Sequence, residues 1–167
     1  NLMYTGYAAF NGPFVIRYPR GKGEMKDWRN EMQVLPIGKG KKLRDGDDIA
    51  VLSIGPIGNE VIKAIEMVKE EGVSIAHYDM IYLKPLDEEL LHEIGRKYNR
   101  IITVENGVIK GGFGSAVLEF MADNGYTPHV KRIGVPDAFI EHGSIPELYQ
   151  LCGMDAESIA KQLKKEN

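Results

Sequence analysis

Residues 101–121, Ile-Ile-Thr-Val-Glu-Asn-Gly-Val-Ile-Lys-Gly-Gly-Phe-Gly-Ser-Ala-Val-Leu-Glu-Phe-Met, decide the fold. A β-branched run ends at Val104, a glycine-dense connection follows, and then Phe113, Ala116, Val117, Phe120 and Met121 recur at helical spacing. That order describes a buried strand turning into an amphipathic helix, the repeating unit of an α/β sheet.

The same unit repeats on either side. Upstream, residues 50–54 run into Gly55-Pro56 and then into a helix whose apolar stripe is Val61, Ile62, Ile65 and Val68, ending near Gly72. A strand begins at residues 73–75, and Lys84-Pro85-Leu86-Asp87 leads to a helix carrying Leu90, Leu91 and Ile94, with Asp87 as its N-cap. Downstream, residues 128–133 read as the last strand, followed by short helices near residues 145–152 and 155–165. Residues 34–43 and 49–54 flank Arg44-Asp45-Gly46-Asp47-Asp48, and Asp-Gly between two β-prone runs predicts a hairpin. Lys39, Lys41 and Lys42 then fall on an exposed sheet edge, where lysines discourage further pairing. The expected architecture is a three-layer α/β/α domain with a mostly parallel sheet of about five strands, one of them antiparallel.

The first residues do not belong to that alternation. Leu2, Met3, Tyr7 and Phe10 read as the last turns of a helix stopped by Asn11-Gly12-Pro13, and residues 14–18 read as a short strand. Residues 22–33 are charged and polar with only Met25, Trp28 and Met32 among them, the composition of a linker between domains. A domain boundary therefore falls there, since one helix end and one strand cannot make a core.

Composition sets limits on function. A chain of 167 residues is long enough to bury a core, roughly 70% of its unfolded surface, without disulfides or metals. Its single cysteine, Cys152, has no intrachain partner, which suits a reducing cytoplasm. A net charge of −3 with mixed signs gives no footprint for nucleic acid or a membrane surface, and no apolar run approaches the roughly 18 residues of a spanning helix.

Several residues invite chemistry. Gly111-Gly112-Phe113-Gly114-Ser115, between a strand and a helix, has the amides of a phosphate cradle but neither the Lys-Ser/Thr ending of a P-loop nor the dinucleotide glycine spacing. A tight turn with close helix packing is the simpler reading. Glu105 is either a catalytic acid or a cap for that loop's amides, and the cap is favoured. Arg17 and Arg20 lie at the end of a short strand, where a guanidinium fork either meets a phosphate or carboxylate or stays solvated. Alternation puts Arg17 and Val15 on one face, Ile16 and Tyr18 on the other. His77, His92, His129 and His142 have no recognisable Ser or Cys partner, with His142 loop-borne, and Tyr78, Tyr82, Tyr98 and Tyr149 are expected at edges.

Taken together, Met3-Tyr4-Thr5-Gly6-Tyr7, Gly12-Pro13, Arg17-Tyr18-Pro19-Arg20-Gly21, Leu35-Pro36-Ile37-Gly38-Lys39-Gly40, Lys84-Pro85-Leu86-Asp87, Thr103-Val104-Glu105-Asn106, Gly111 to Ser115 and Gly134-Val135-Pro136-Asp137 form an ordered set. In that order they resemble the C-terminal part of the bacterial 1-deoxy-D-xylulose-5-phosphate synthase family, thiamin diphosphate enzymes related to transketolase. The resemblance implies that residues 1–21 close the pyrimidine-binding domain, that 22–33 are the linker, and that 34–167 are a transketolase C-terminal domain. It implies a parent that condenses pyruvate with glyceraldehyde 3-phosphate, losing carbon dioxide, as a cytoplasmic homodimer with thiamin diphosphate and Mg2+. Those cofactor sites belong upstream of Asn1, so the fragment is expected to be inactive, to hold no cofactor and to serve by packing against the other domains and the dimer partner. Arg20 matches the family arginine that binds the acceptor's phosphate. Asn106 departs from the second acidic residue of many relatives. A free-standing interaction module of this fold, or the C-terminal domain of another thiamin enzyme, are the competing readings.

Overall fold

In the computed structural model, which describes residues 1–19, 23 and 29–164, twelve segments are ordered around one five-stranded sheet. After helix α1 (Leu2–Ala8) come strands β1 (Lys41–Arg44) and β2 (Ile49–Ile54), helix α2 (Gly58–Met67), a short 3-10 turn, strand β3 (Ile75–Asp79) and helix α3 (Glu88–Lys97). Strand β4 (Arg100–Val108), helix α4 (Phe113–Asp123), strand β5 (His129–Val135) and helices α5 (Ile145–Leu151) and α6 (Ala156–Leu163) complete it. The spatial order is β1-β3-β2-β4-β5, with β2, β3, β4 and β5 parallel and β1 antiparallel on the edge beside β3.

Side-chain parity sorts the core into two layers. Ile49 and Val51 of β2, Ile75 of β3, and Ile102 and Val104 of β4 face Val61, Ala64 and Ile65 of α2 together with Ile159, Ala160 and Leu163 of α6. Ala50, Leu52, Ala76, Tyr78 and Ile101 face Leu91 and Ile94 of α3 and Phe113, Val117 and Met121 of α4 on the other side. A strand buried on both faces needs apolar residues at every position, which residues 49–52 supply. Asp87 caps α3 by accepting from the Leu90 N–H at 3.2 Å, and its other oxygen accepts from the Gly40 N–H at 2.9 Å, tying the cap to the approach of β1.

Five details differ from the sequence-based expectation. The Asp-Gly connection is not a hairpin: Gly46 is tucked against the Ile75–Ala76 backbone, and the amides of Asp47, Asp48 and Ile49 all donate to the Ser74 carbonyl. The chain thus wraps the end of β3 and delivers β1 to that strand's outer edge. Residues 14–18 have no ladder partner and form no strand, so alternation does not sort Arg17 and Val15 from Ile16 and Tyr18. Ile62 is exposed and Ala64 holds its place in the α2 stripe, because the stripe follows positions 61, 64, 65 and 68. Strand β4 continues past Val104 to Val108, carried by pairing of Val108 with Val135 across a register shift. Tyr78, Tyr82 and Tyr98 are interior rather than at edges; the Tyr98 hydroxyl donates to the Gly46 carbonyl at 2.7 Å and lies 3.2 Å from the Tyr78 hydroxyl.

The N-terminal segment is docked on the domain. Thr5 is fully buried, and its Oγ1 accepts from the Leu35 N–H at 2.9 Å while Asn1 Oδ1 accepts from the Gln33 N–H at 3.1 Å. Gly6 lies under the Phe14 ring, which meets Tyr82 edge-on at 6.4 Å.

Candidate functional site

Ligands in open α/β sheets gather at the carboxyl ends of the strands, where the strand order reverses. That place lies between β2 and β4, at the pair formed by Ile54 and Glu105. The chain's own side chains fill it.

Glu105 points to the α4 face and is only 5% exposed. Its Oε2 accepts from the Phe113 N–H and its Oε1 from the Gly114 N–H, both at 2.8 Å. A helix N-terminus offers unsatisfied amides and the positive end of the macrodipole, and here the preceding strand supplies the anion. Three glycines make room for it: a Cβ would lie 2.8 Å from Glu105 Oε2 at Gly107, 2.7 Å from Glu105 Cδ at Gly112 and 3.0 Å from Glu105 Cγ at Gly134. The loop between is latched by Ser115, whose Oγ accepts from Arg132 Nη1 at 2.8 Å and from the Gly111 N–H at 3.0 Å, and by Lys110, 3.1 Å from Asp137. The glycine-rich stretch is therefore a carboxylate-capped turn.

On the opposite face Asn106 Nδ2 donates to the Tyr149 hydroxyl at 3.3 Å, which binds α5 to the end of β4. Burial raises the Tyr149 pKa, the charge of Glu60 adds to the rise, and the charge of Arg17 opposes it. Glu60 Oε2 accepts from the Ala156 N–H at 3.1 Å, joining α2 to the start of α6. The bonds of Asn106 and Glu60 span 43 and 96 residues, whereas Glu105 reaches amides only 8 and 9 residues on, which is why its role is readable from its motif.

Of the residues predicted from sequence, Arg20 lies outside the described residues. Arg17 is exposed, His129 and His142 are exposed, and His92 lies with Nδ1 3.0 Å from the Tyr126 hydroxyl. His77 is a correction: it has a serine partner, Ser53, with Nε2 2.8 Å from Oγ. Strand parity places both on the α2 face of adjacent strands, a signal available only once β2 and β3 are known neighbours. Both are 1% exposed under Gly58, where a Cβ would meet Ser53 Oγ at 2.9 Å, so no substrate reaches this pair.

Burial lowers the His77 pKa from 6.5 to about 4. A histidine kept neutral by the fold binds its proton more readily when unfolded, so stability is full above the unfolded pKa and falls as pH drops toward the folded one. Between about pH 7.5 and about pH 5 this group is expected to cost about 2 kcal/mol. Asp79, whose pKa burial raises, titrates in the opposite sense, so the measurement is a difference. Denaturant unfolding of wild type and His77→Gln across that window should diverge by this amount; parallel curves would remove His77 as the source.

The described residues do not fit a thiamin diphosphate or magnesium site. The glycine-rich helix N-terminus, which has the amides a diphosphate would need, is already filled by Glu105, and no group of three or more His, Cys, Asp or Glu side chains among the described residues could hold a metal ion. A shallow cleft of about 290 Å3 is lined by Lys39, Asp87 and Glu89, the lysine pairing with both carboxylates. No described helix is long and apolar enough to cross a membrane.

A family model described as "Transketolase, C-terminal domain" matches residues 38–159. The chain is 98% identical over all 167 residues to a 1-deoxy-D-xylulose-5-phosphate synthase of Parabacteroides distasonis, and 61% identical over 166 residues to one of Bacteroides thetaiotaomicron. It spans only 26% of the length of each of these curated relatives. Among solved structures, one titled "Split gene transketolase, inactive beta4 tetramer" superposes with a TM-score of 0.70 at 31% identity, over 80% of this chain and 45% of that one. Transketolase from Campylobacter jejuni superposes with a TM-score of 0.56 at 13% identity, over 75% of this chain and 18% of that one, which shows the fold alone.

Proposed function

The chain belongs to the transketolase C-terminal domain family, and from that premise we propose that it is the C-terminal part of a cytoplasmic 1-deoxy-D-xylulose-5-phosphate synthase. The observation that carries this reading is the 98% identity, over all 167 residues, to a synthase about four times as long. The parent, a transferase, condenses pyruvate with glyceraldehyde 3-phosphate and releases carbon dioxide. Thiamin diphosphate and Mg2+, held by parts of the parent outside this chain, supply the carbanion chemistry. This piece is inactive alone, and its work is to pack against the remaining domains and to support the homodimer. Its internally satisfied rim, with Glu105 in the place of an anion, suits a supporting role.

In the same reading residues 1–21 end the pyrimidine-binding domain, 22–33 link, and 34–167 form the C-terminal domain. Arg20 binds the phosphate of the aldehyde. A guanidinium presents parallel N–H donors to phosphate oxygens, a charge-assisted contact that a neutral side chain cannot replace.

The test is made on the full parent with pyruvate and glyceraldehyde 3-phosphate, following product and carbon dioxide. Formation of deoxyxylulose phosphate is expected, and its absence would reject the assignment in favour of another thiamin enzyme. In the same assay Arg20→Ala should raise KM for the phosphorylated aldehyde by about 10- to 100-fold while leaving that for pyruvate nearly unchanged. Equal effects on the two substrates would take Arg20 out of its role.

A further inference from the structure

Three Asn-Gly pairs occur in the chain, at residues 11–12, 106–107 and 124–125. The backbone nitrogen after an asparagine can attack the side-chain carbonyl carbon, and glycine, with no Cβ in the way and a permissive backbone, leaves that approach open. The step needs a nitrogen free of other bonds and a backbone free to turn. The structure gives the three pairs different freedom. Asn106 Nδ2 donates to the Tyr149 hydroxyl at 3.3 Å, and both residues of that pair lie in β4 between its ladder pairs Val104–Ile133 and Val108–Val135. Asn124 Nδ2 donates to the Phe120 carbonyl at 2.9 Å, and the Gly125 N–H donates to the Ala122 carbonyl at 3.1 Å, so the end of α4 holds both groups. Asn11 and Gly12 lie in neither helix nor strand, and among the described residues neither the Asn11 side chain nor the Gly12 amide is hydrogen-bonded. Exposure alone does not make this distinction, since residues 11, 12, 124 and 125 are all exposed.

We propose that Asn11 is a self-modifying position, converted without an enzyme to aspartate and isoaspartate, while the pairs at 106–107 and 124–125 are spared by their bonds. The Gly12 nitrogen bonds to Asn11 Cγ, the Cγ–Nδ2 bond breaks, and ammonia leaves with the proton that the amide gives up. Water then opens the cyclic imide. Opening at the side-chain carbonyl yields aspartate, and opening at the backbone carbonyl yields isoaspartate, whose chain runs on through Cβ. Either product places a carboxylate upstream of Arg17 and Arg20. Isoaspartate also lengthens the path from α1 to Phe14, whose ring lies over Gly6 and against Tyr82. The chemistry is local and independent of the reaction assigned to the parent.

Peptide mapping by mass spectrometry tests it on the full-length parent, aged at mildly alkaline pH, where the attacking amide gives up its proton more readily. Residues 11–12 should convert at least about tenfold faster than 106–107 and 124–125, which must first open locally. Both acids should appear at position 11. In guanidinium chloride the three rates should converge, because the same dipeptide is then equally free at each place. Asn11→Gln, which closes the larger ring slowly, should remove the conversion at residues 11–12 and leave the other two pairs unchanged. Comparable rates at 11–12 and 124–125 in the native parent would overturn the proposal, as would a gap that persists in denaturant, which would assign the difference to flanking sequence. Aspartate at position 11 without isoaspartate would overturn it as well, since direct hydrolysis passes through no imide.

Discussion

Replacing Glu105 by alanine is expected to lower the unfolding free energy by about 4 kcal/mol, read as a shift in denaturant midpoint at unchanged slope. The carboxylate makes two hydrogen bonds of 2.8 Å to the first amides of α4 from a buried position. Each such charged bond contributes about 1.5–3 kcal/mol, and its removal leaves a buried N–H unpaired. The three glycines around it cannot close the gap, since they have no side chains to move in. Glu105→Gln keeps one acceptor oxygen but turns an NH2 toward the second amide, so about half the loss is expected. A loss below about 1 kcal/mol for the alanine variant would mean that water caps the helix as well as the carboxylate does.

Gly46→Ala is expected to cost a similar amount, about 3–5 kcal/mol, above the roughly 1–3 kcal/mol typical of overpacking. The reason is space and not backbone conformation. A methyl group at Gly46 would fall inside the Ile75–Ala76 peptide, 2.7 Å from the Ile75 carbonyl oxygen, and backbone in the middle of a sheet cannot give way as a side chain can. Shifting Gly46 would also break the hydrogen bonds that its carbonyl accepts from Tyr98 at 2.7 Å and Lys97 at 3.0 Å. Gly72→Ala is the contrast: its φ of +70° is unfavourable to alanine but nothing lies within 4 Å, so about 1 kcal/mol is expected there. Equal midpoints for the two variants would show that the connection at residue 46 relaxes freely.

The strand-turn-helix at residues 101–121 was legible because buried strands and amphipathic helices write their periods into the sequence, and the Asp87 cap because its chemistry is local. The glutamate cap was legible in kind, since a strand-end carboxylate a few residues ahead of glycine-rich amides has few other uses. The partner of β1 was not legible. Asp-Gly permits a hairpin, but the outcome depended on whether Gly46 could approach β3, a contact between positions thirty residues apart. The Ser53–His77 pair and the Asn106–Tyr149 bond were hidden for the same reason: each joins residues distant in sequence, the first brought together by the order of strands and the second by the docking of α5. Residues 14–18 misled because β-prone composition states a preference and not the presence of a neighbouring strand.

Helix α6 follows every strand in sequence yet supplies Ile159, Ala160 and Leu163 to the layer that α2 shares, and the Glu60 carboxylate waits for the Ala156 amide. During synthesis, then, that side of the sheet has only α2 over it until α6 has been made. The α3 and α4 side can close earlier, while Val51, Ile75 and Val104 remain half covered on the other. This half-built sheet is the species most exposed to misassembly, and α6 acts as the latch that ends its vulnerability. A stop ahead of Ala156 would remove α6 and leave a permanently sticky face.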